Sequence, residues 1–219
     1  MTPGPQTVVA PGPRLTGPAG WNKRHREFHV KPGSALAPSG STLEGRGRSL
    51  VYRVQLALVF RSTPRSTPAD AILQRVAECR LAIELIDMAG LVVSWEGPRW
   101  HIRYAEGAAF DGSCALSAGR PLDEVRDGDS AAVAYAGGSA ELGWTAAAEF
   151  AAFVNRYVAL GPELLILAGW PLGPALGRGA NGPELETSGA PSVHGAVWAT
   201  HATLGRVECG IEGDARPGC

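Results

Sequence analysis

Residues 81–87 read Leu-Ala-Ile-Glu-Leu-Ile-Asp. A strand with this pattern sends Leu81, Ile83, Leu85 and Asp87 to one face and Ala82, Glu84 and Ile86 to the other. Glu84 is then a carboxylate in an otherwise apolar strand. Burying it is costly unless a metal, a cation or hydrogen-bond donors compensate. That makes Glu84 a site candidate. The competing reading places it in water, on an edge strand or at a helix end.

The flanking sequence supplies more strands than helices. Residues 50–60 alternate Val, Tyr, Leu and Phe and predict a strand. Thr67 is placed to cap a helix with Pro68 in its first turn. That helix is expected to run to Cys79 or Arg80, with Ile72, Val76 and Cys79 on one stripe. Residues 91–95 and 100–104 flank Glu96-Gly97-Pro98-Arg99 and predict an aromatic hairpin. Residues 130–136 and 139–142 predict two strands around Gly137-Gly138. Thr145 is expected to cap a second helix over 146–160, ended by Gly161. Strands are expected at 164–167, 193–200 and 206–211. The Gly- and Pro-rich stretch 171–192 reads as a long loop. Residues 1–19 hold five prolines and three glycines. They predict an arm without a packed element, ahead of a single domain over 20–219. The fold class is α+β, with many strands, about two helices and no internal repeat.

Composition bounds the function. At 219 residues, 45% hydrophobic and 19% charged, the chain is globular and can bury a sizeable core. A net charge of −1 leaves no electrostatic footprint for nucleic acid. No apolar run reaches the roughly 20 residues needed to cross a bilayer, and the N-terminus lacks a signal-peptide core. A cytoplasmic protein without nucleic-acid or membrane partners is expected. Cys79, Cys114, Cys209 and Cys219 form no Cys-x-x-Cys pair, so they read as incidental thiols. His25, His29, His101, His194 and His201 are scattered; His25 and His29 have i,i+4 spacing, in Pro-rich surroundings that oppose a helix. No phosphate-binding loop is present.

Several segments, in one order, resemble the 2-hydroxypentadienoate hydratase and 4-oxalocrotonate decarboxylase family of the fumarylacetoacetate-hydrolase-like superfamily. Leu81 to Asp87 resembles the family's Ala-Ile-Glu-Ile-x-Asp. Arg53-Val54-Gln55-Leu56-Ala57-Leu58-Val59-Phe60 sits where the family reads roughly Arg-Val-Glu-x-Glu-Ile-Ala-Phe. Thr67-Pro68-Ala69-Asp70 resembles the helix start that follows, and Ala109-Phe110-Asp111-Gly112-Ser113 its Ala-Asp-Asn-(Ala)-Ser turn. Gly161 to Gly169 and Leu204-Gly205-Arg206-Val207 resemble its late segments. Gly20-Trp21-Asn22-Lys23 and Pro32-Gly33-Ser34-Ala35-Leu36 loosely resemble its opening ones. The resemblance covers roughly residues 20–211 and implies a mixed β-sandwich or roll, and homo-oligomers. Trp95, Trp100, Trp144, Trp170 and Trp198 would suit subunit contacts, so a dimer or higher is expected.

The departures bear on chemistry. The resemblance implies three acidic side chains on a divalent cation. Here the Glu-x-Glu positions fall on Gln55 and Ala57, and Glu84 alone is retained. Mg²⁺ usually needs at least one or two carboxylates, so metal binding is expected to be weak or absent: no cofactor and no metal ligands are expected, with Mg²⁺ or Mn²⁺ as the alternative. Lys23 comes one residue later than the family's Lys. Without the cation, Glu84 is expected to have a raised pKa by desolvation and to act as a general acid. Lys23, Arg53, Arg103 and the amides near Gly112 are the candidates to stabilise an enolate. The expected catalytic set is Glu84, Lys23 and Arg53, with Gln55, Ala57, Asp111, Ser113 and Trp100 lining the substrate site. The expected function is metal-independent proton transfer, such as hydration, dehydration, isomerisation or cyclisation, on a small or polyene-like organic substrate, by a lyase or an isomerase/cyclase. One alternative is a non-catalytic homologue that binds a ligand or scaffolds a partner. Another is a conventional metal-dependent 2-oxo-acid hydratase or decarboxylase.

Overall fold

The computed structural model describes residues 5–12, 28–91, 94–96, 99–101, 103–127, 132–135, 138–141, 143–168, 175–176, 185–186 and 195–213. Strands β1 (Thr7–Pro11) and β2 (Phe28–Pro32) pair antiparallel. A 3-10 turn (Gly33–Ala35) leads into β3 (Leu36–Pro38) and then β4 (Ser41–Glu44). The long strand β5 (Leu50–Phe60) is followed by helix α1 (Ala69–Ile72), a 3-10 turn (Leu73–Arg75) and β6 (Val76–Asp87). Next come the hairpin β7 (Ser94–Glu96) and β8 (Arg99–His101), α2 (Tyr104–Ala108), β9 (Cys114–Leu116) and α3 (Leu122–Asp127). The chain continues through β10 (Ala132–Tyr135), β11 (Gly138–Glu141), α4 (Trp144–Asn155) and β12 (Leu164–Ala168). A short pair, β13 (Ala175–Leu176) and β14 (Leu185–Glu186), precedes β15 (Gly195–His201) and β16 (Gly205–Glu212).

Seven strands form one sheet, in the order β2-β1-β12-β5-β6-β9-β3, and five form another, β11-β10-β15-β16-β4. A flat seven-stranded sheet would be about 29 Å across, at roughly 4.8 Å per strand. Its outermost strands, β2 and β3, are separated only by Gly33–Ala35. That connection spans at most about 14 Å. The sheet therefore curls into a roll whose edges nearly meet. At the seam the Ser34 carbonyl accepts the Gly112 N–H at 3.0 Å. Gly33 fits there because it lacks a Cβ, which would lie 2.9 Å from the Gln6 carbonyl oxygen.

Strand alternation sorts the side chains. Inside the roll, Val8, Ala10, Ala57, Ala82, Cys114, Leu116, Leu165 and Leu167 form a small apolar filling. Outside, Leu56, Leu58, Phe60, Leu81, Ile83 and Leu85 join the main core with Val197, Val207 and Ile211 of the second sheet and with Phe150, Ala151 and Val154 of α4.

The structure corrects several expectations. Within the expected arm, the described residues include a packed element: Thr7–Pro11 is a strand lying between β2 and β12. Its prolines stand at or beyond the strand ends, where a missing donor is tolerated, and Val8 and Ala10 are fully buried. The expected helix to residue 80 stops at Ile72, and Val76 already pairs with Phe60. A stripe at 72, 76 and 79 fits both periods over so short a run, and pairing with the eleven-residue β5 decides for strand. Thr67 and Thr145 cap nothing: the N-cap positions are Pro68 and Gly143, neither with a side-chain cap bond. The second expected helix ends at Asn155 rather than residue 160. Two short helices, α2 and α3, add to the two expected. Strand β5, the hairpin 94–101 and strands β10, β11, β12, β15 and β16 lie where expected, and the fold is α+β. Most of the loop 171–192 lies outside the described residues. Among the described residues, no helix is long and apolar enough to cross a membrane.

Closure at the seam can be tested. Gly33→Val is expected to destabilise the protein by roughly 1–3 kcal/mol, the range for overpacking, read as a lower urea midpoint. Ala118→Ser, at an exposed position just beyond β9, is expected to leave that midpoint within about 0.5 kcal/mol.

Candidate active site

The β5–β6 register sets Arg53 directly opposite Glu84. Directly opposed antiparallel residues have side chains roughly 5 Å apart, so an Arg and a Glu there meet without strain. Arg53 donates from both Nε, at 2.8 Å, and Nη2 to Glu84 Oε2. Its Nη2 also donates to the Pro11 carbonyl at 3.0 Å, tying the end of β1 to the centre of the sheet. Gln55, two residues along β5 and on the same face, donates from Nε2 to the same Oε2 at 2.6 Å.

The other Glu84 oxygen faces β2. Lys31 Nζ lies 2.7 Å from Oε1, and His29 Nε2 lies 3.3 Å from it. The first is an ion pair and the second a close polar contact, and neither has hydrogen-bond alignment at Oε1. Lys31 Nζ also donates to Ser113 Oγ at 3.4 Å, and Ser113 Oγ donates to the Ala108 carbonyl at 3.0 Å. The His29 ring stacks on Tyr104 of α2, with centroids 4.8 Å apart and planes 4° off parallel. Glu84 and Lys31 are wholly buried, and His29, Arg53 and Gln55 nearly so. Four polar atoms of the cluster have no hydrogen-bond partner among the described residues: His29 Nδ1 and Nε2, Gln55 Oε1 and Glu84 Oε1.

The electrostatics follow from these distances. Burial alone would raise the pKa of Glu84. The charges of Arg53 and Lys31, with the His29 contact, outweigh it and hold the carboxyl well below the usual range. Glu84 is therefore an ionised carboxylate and not the protonated general acid expected from its strand alone. The desolvation premise holds, but the neighbours reverse the outcome. His29 is lowered from 6.5, chiefly by burial, which the attraction of Glu84 only partly offsets. It is a neutral imidazole at pH 7. Burial pushes the Cys114 thiol up to about 12, so it is inert. With two cations, one anion and a neutral His29, the cluster of described residues carries one net positive charge.

The residues singled out by sequence divide as follows. Arg53, Gln55 and Glu84 meet. Ser113 touches Lys31 but is spent on holding it. Ala57 is in the apolar filling, opposite Arg80 and away from Glu84. The face-sharing pair on β5 beside Glu84 is 53 and 55, not 55 and 57. Asp111 is exposed in the turn before β9 and is not in the cluster. Arg103 is exposed and pairs with Glu106 at 3.3 Å, and the Gly112 amide is used at the seam. Lys23 and the Trp100 side chain lie outside the described residues. Asp87 faces away from Glu84; it accepts the Ser49 and Ala89 amides and pairs with Arg48 at 3.6 Å. Sequence reading missed Lys31 and His29. Their signal was alternation in Phe28-His29-Val30-Lys31, in a chain whose 20 basic residues include only two lysines.

The fold implied by the resemblance brings a divalent cation with it, and these residues do not fit one. Glu84 is the single carboxylate of the cluster, and nitrogen donors or cations face both its oxygens. Among the described residues no group of three His, Cys, Asp or Glu could hold a metal ion.

Glu84→Gln leaves Arg53 and Lys31 buried without a counter-charge and is expected to cost about 3–5 kcal/mol. The sign with pH follows from the lowered pKa. The contribution of Glu84 is full above the ordinary value of 4.5 and is lost as pH falls toward the depressed folded value. His29, also depressed, adds a loss that begins as pH drops below 6.5. Urea unfolding between pH 3 and 7 is expected to show a wild-type acid limb below about 4.5 that is missing in Glu84→Gln. An unchanged midpoint at pH 7 would disprove the ion-pair assignment.

No protein-family model matches the sequence, and no curated protein matches it. Solved structures do. A fumarylpyruvate hydrolase from Pseudomonas aeruginosa, in complex with Mn²⁺ and pyruvate, superposes with a TM-score of 0.65 at 18% identity, over 96% of this chain and 91% of that one. A 5-carboxymethyl-2-hydroxymuconate delta-isomerase from Mycobacterium smegmatis gives 0.67 at 15% identity, over 97% and 80%. A maleylpyruvate hydrolase from Sphingobium sp. SYK-6 gives 0.62 at 17% identity, over 96% and 72%. At these identities the likeness shows the fold alone: this chain has the same mixed-sheet roll as these two hydrolases and the isomerase, and no hydratase or decarboxylase is among the three.

Proposed function

We propose that the chain is a metal-independent enzyme of lyase or isomerase type that moves a proton on a small 2-oxo acid or its enol. The observation that carries this reading is the convergence of His29, Lys31, Arg53 and Glu84 on one end of the roll, with His29 Nδ1 unpartnered among the described residues. Apolar filling at that point would have favoured a binding or scaffold protein. The substrate class follows from the net positive charge, which suits a carboxylate. It also agrees with the pyruvate held by one structural neighbour.

Roles follow from the geometry. The Glu84 carboxylate, 3.3 Å from Nε2, favours the tautomer protonated there and leaves the Nδ1 lone pair as the base. Its lowered pKa keeps the imidazole neutral and ready at pH 7. His29 takes a proton from the carbon beside the carbonyl, and the C–H electron pair moves onto the carbonyl oxygen. Lys31 and Arg53 supply the fixed positive charge that this developing enolate needs. In an isomerisation the imidazolium returns the proton to another carbon of the same dienol, so no co-reactant is consumed.

One observation favours a second reading. Both Glu84 oxygens are committed and Tyr104 covers His29. A sealed, internally paired cluster also suits a non-catalytic ligand-binding or scaffold protein.

Deuterium exchange into 2-oxo acids, followed by NMR, separates the two. The enzyme reading expects exchange that His29→Gln lowers by ~10²–10⁴-fold. Because the base must be neutral, the rate should rise with pH through an apparent pKa below 6.5 and level off above it. No exchange with any 2-oxo acid, or exchange indifferent to His29→Gln, moves the case to the second reading.

We also propose a homo-oligomer of at least two chains. Val30 and Tyr157 are more than half exposed, and Phe28, on the same side of β2 as Val30, packs its ring against Tyr157 at 5.9 Å. This apolar patch on an outer strand supports the reading. Light scattering at micromolar concentration is expected to give a mass at least twice 22.8 kDa; the mass of one chain would refute it.

A further inference from the structure

We infer that the guanidinium of Arg53 stands where a divalent cation would sit, so that this roll carries a latent metal site closed by the protein's own cation. The inference uses the same cluster as the proposed activity but does not depend on catalysis.

Positions 53 and 55 share a face of β5, and position 84 is the register partner of 53. Arg53 Nε, Arg53 Nη2 and Gln55 Nε2 already point at one atom, Glu84 Oε2. Side chains that reach one oxygen with nitrogen donors would, as carboxylates, present several oxygens to one point between the strands. That is the ligand set a hard divalent cation requires. As the sequence stands, positions 53 and 55 carry donors and not acceptors, and Lys31 takes the remaining Glu84 oxygen at 2.7 Å. An incoming Mn²⁺ would have to displace Arg53 while facing Lys31, and would gain one carboxylate. The roll itself remains intact around the exchange, since Glu84 is neutralised from inside the chain.

The test is a metal titration on full-length protein cleared with chelator, read by calorimetry and by Mn²⁺ electron paramagnetic resonance. Wild type is expected to bind Mn²⁺ no tighter than millimolar. R53E/Q55E, purified with Mn²⁺ present, is expected to bind roughly 100-fold tighter or more, because affinity follows the number of charged ligands. Micromolar binding by wild type that Glu84→Gln abolishes overturns the inference. So does a double variant that is folded by circular dichroism yet does not bind. If the double variant fails to fold, the melting temperature of wild type decides. Mn²⁺ should leave it unchanged; a rise that disappears in Glu84→Gln counts against the inference.

Discussion

The contact between Glu84 and Lys31 is the constraint on which the rest of the structure turns. The two residues stand on strands four places apart in the sheet order. In a flat sheet that is about 19 Å, farther than their side chains reach. They meet at 2.7 Å because the sheet rolls. Each buried charge costs several kcal/mol unless its partner is in place. Any arrangement that opens the roll leaves Lys31 without its counter-charge and Glu84 with Arg53 alone. The apolar filling favours burial in general; the ion cluster favours this particular closure.

The same dependence explains what could be read from the sequence. Period-two alternation shows the two faces of Leu81–Asp87 and of Leu50–Phe60 directly, and the structure puts Leu81, Ile83 and Leu85 in the main core as that alternation requires. Local signals were weaker where partners decide. Val76 and Cys79 fit a helical stripe until the pairing with β5 is known. Thr7–Pro11 is a short run of apolar and β-branched residues among prolines, and only its place between two strands makes it a strand.

The site was half legible for a related reason. Glu84 announces itself as a carboxylate in an apolar strand, and Arg53 and Gln55 come from a strand whose limits were read correctly. His29 and Lys31 arrive from an element 53 to 55 residues earlier, brought in by a curl that no local pattern encodes. The pairing with Arg53, joined by Lys31 and His29, reversed the electrostatics. A lone buried carboxyl is protonated; one set between a guanidinium and an ammonium is ionised. The register choice between 53/55 and 55/57 likewise needed the pairing itself.

A cation that is part of the chain differs in kind from one that is bound. Guanidinium and ammonium groups neutralise developing negative charge and orient a carboxylate. They do not bring a water molecule to a low pKa, which is the second service of a divalent ion in a hydrolytic site. A roll charged by Arg53 and Lys31 therefore suits steps in which the substrate's own proton moves, and suits poorly the cleavage of a carbon–carbon bond by activated water. Under the proposed reading the guanidinium of Arg53 does more than neutralise Glu84. It separates the enolate chemistry that the fold can hold from the hydrolysis that some of its structural neighbours are named for, and keeps the first.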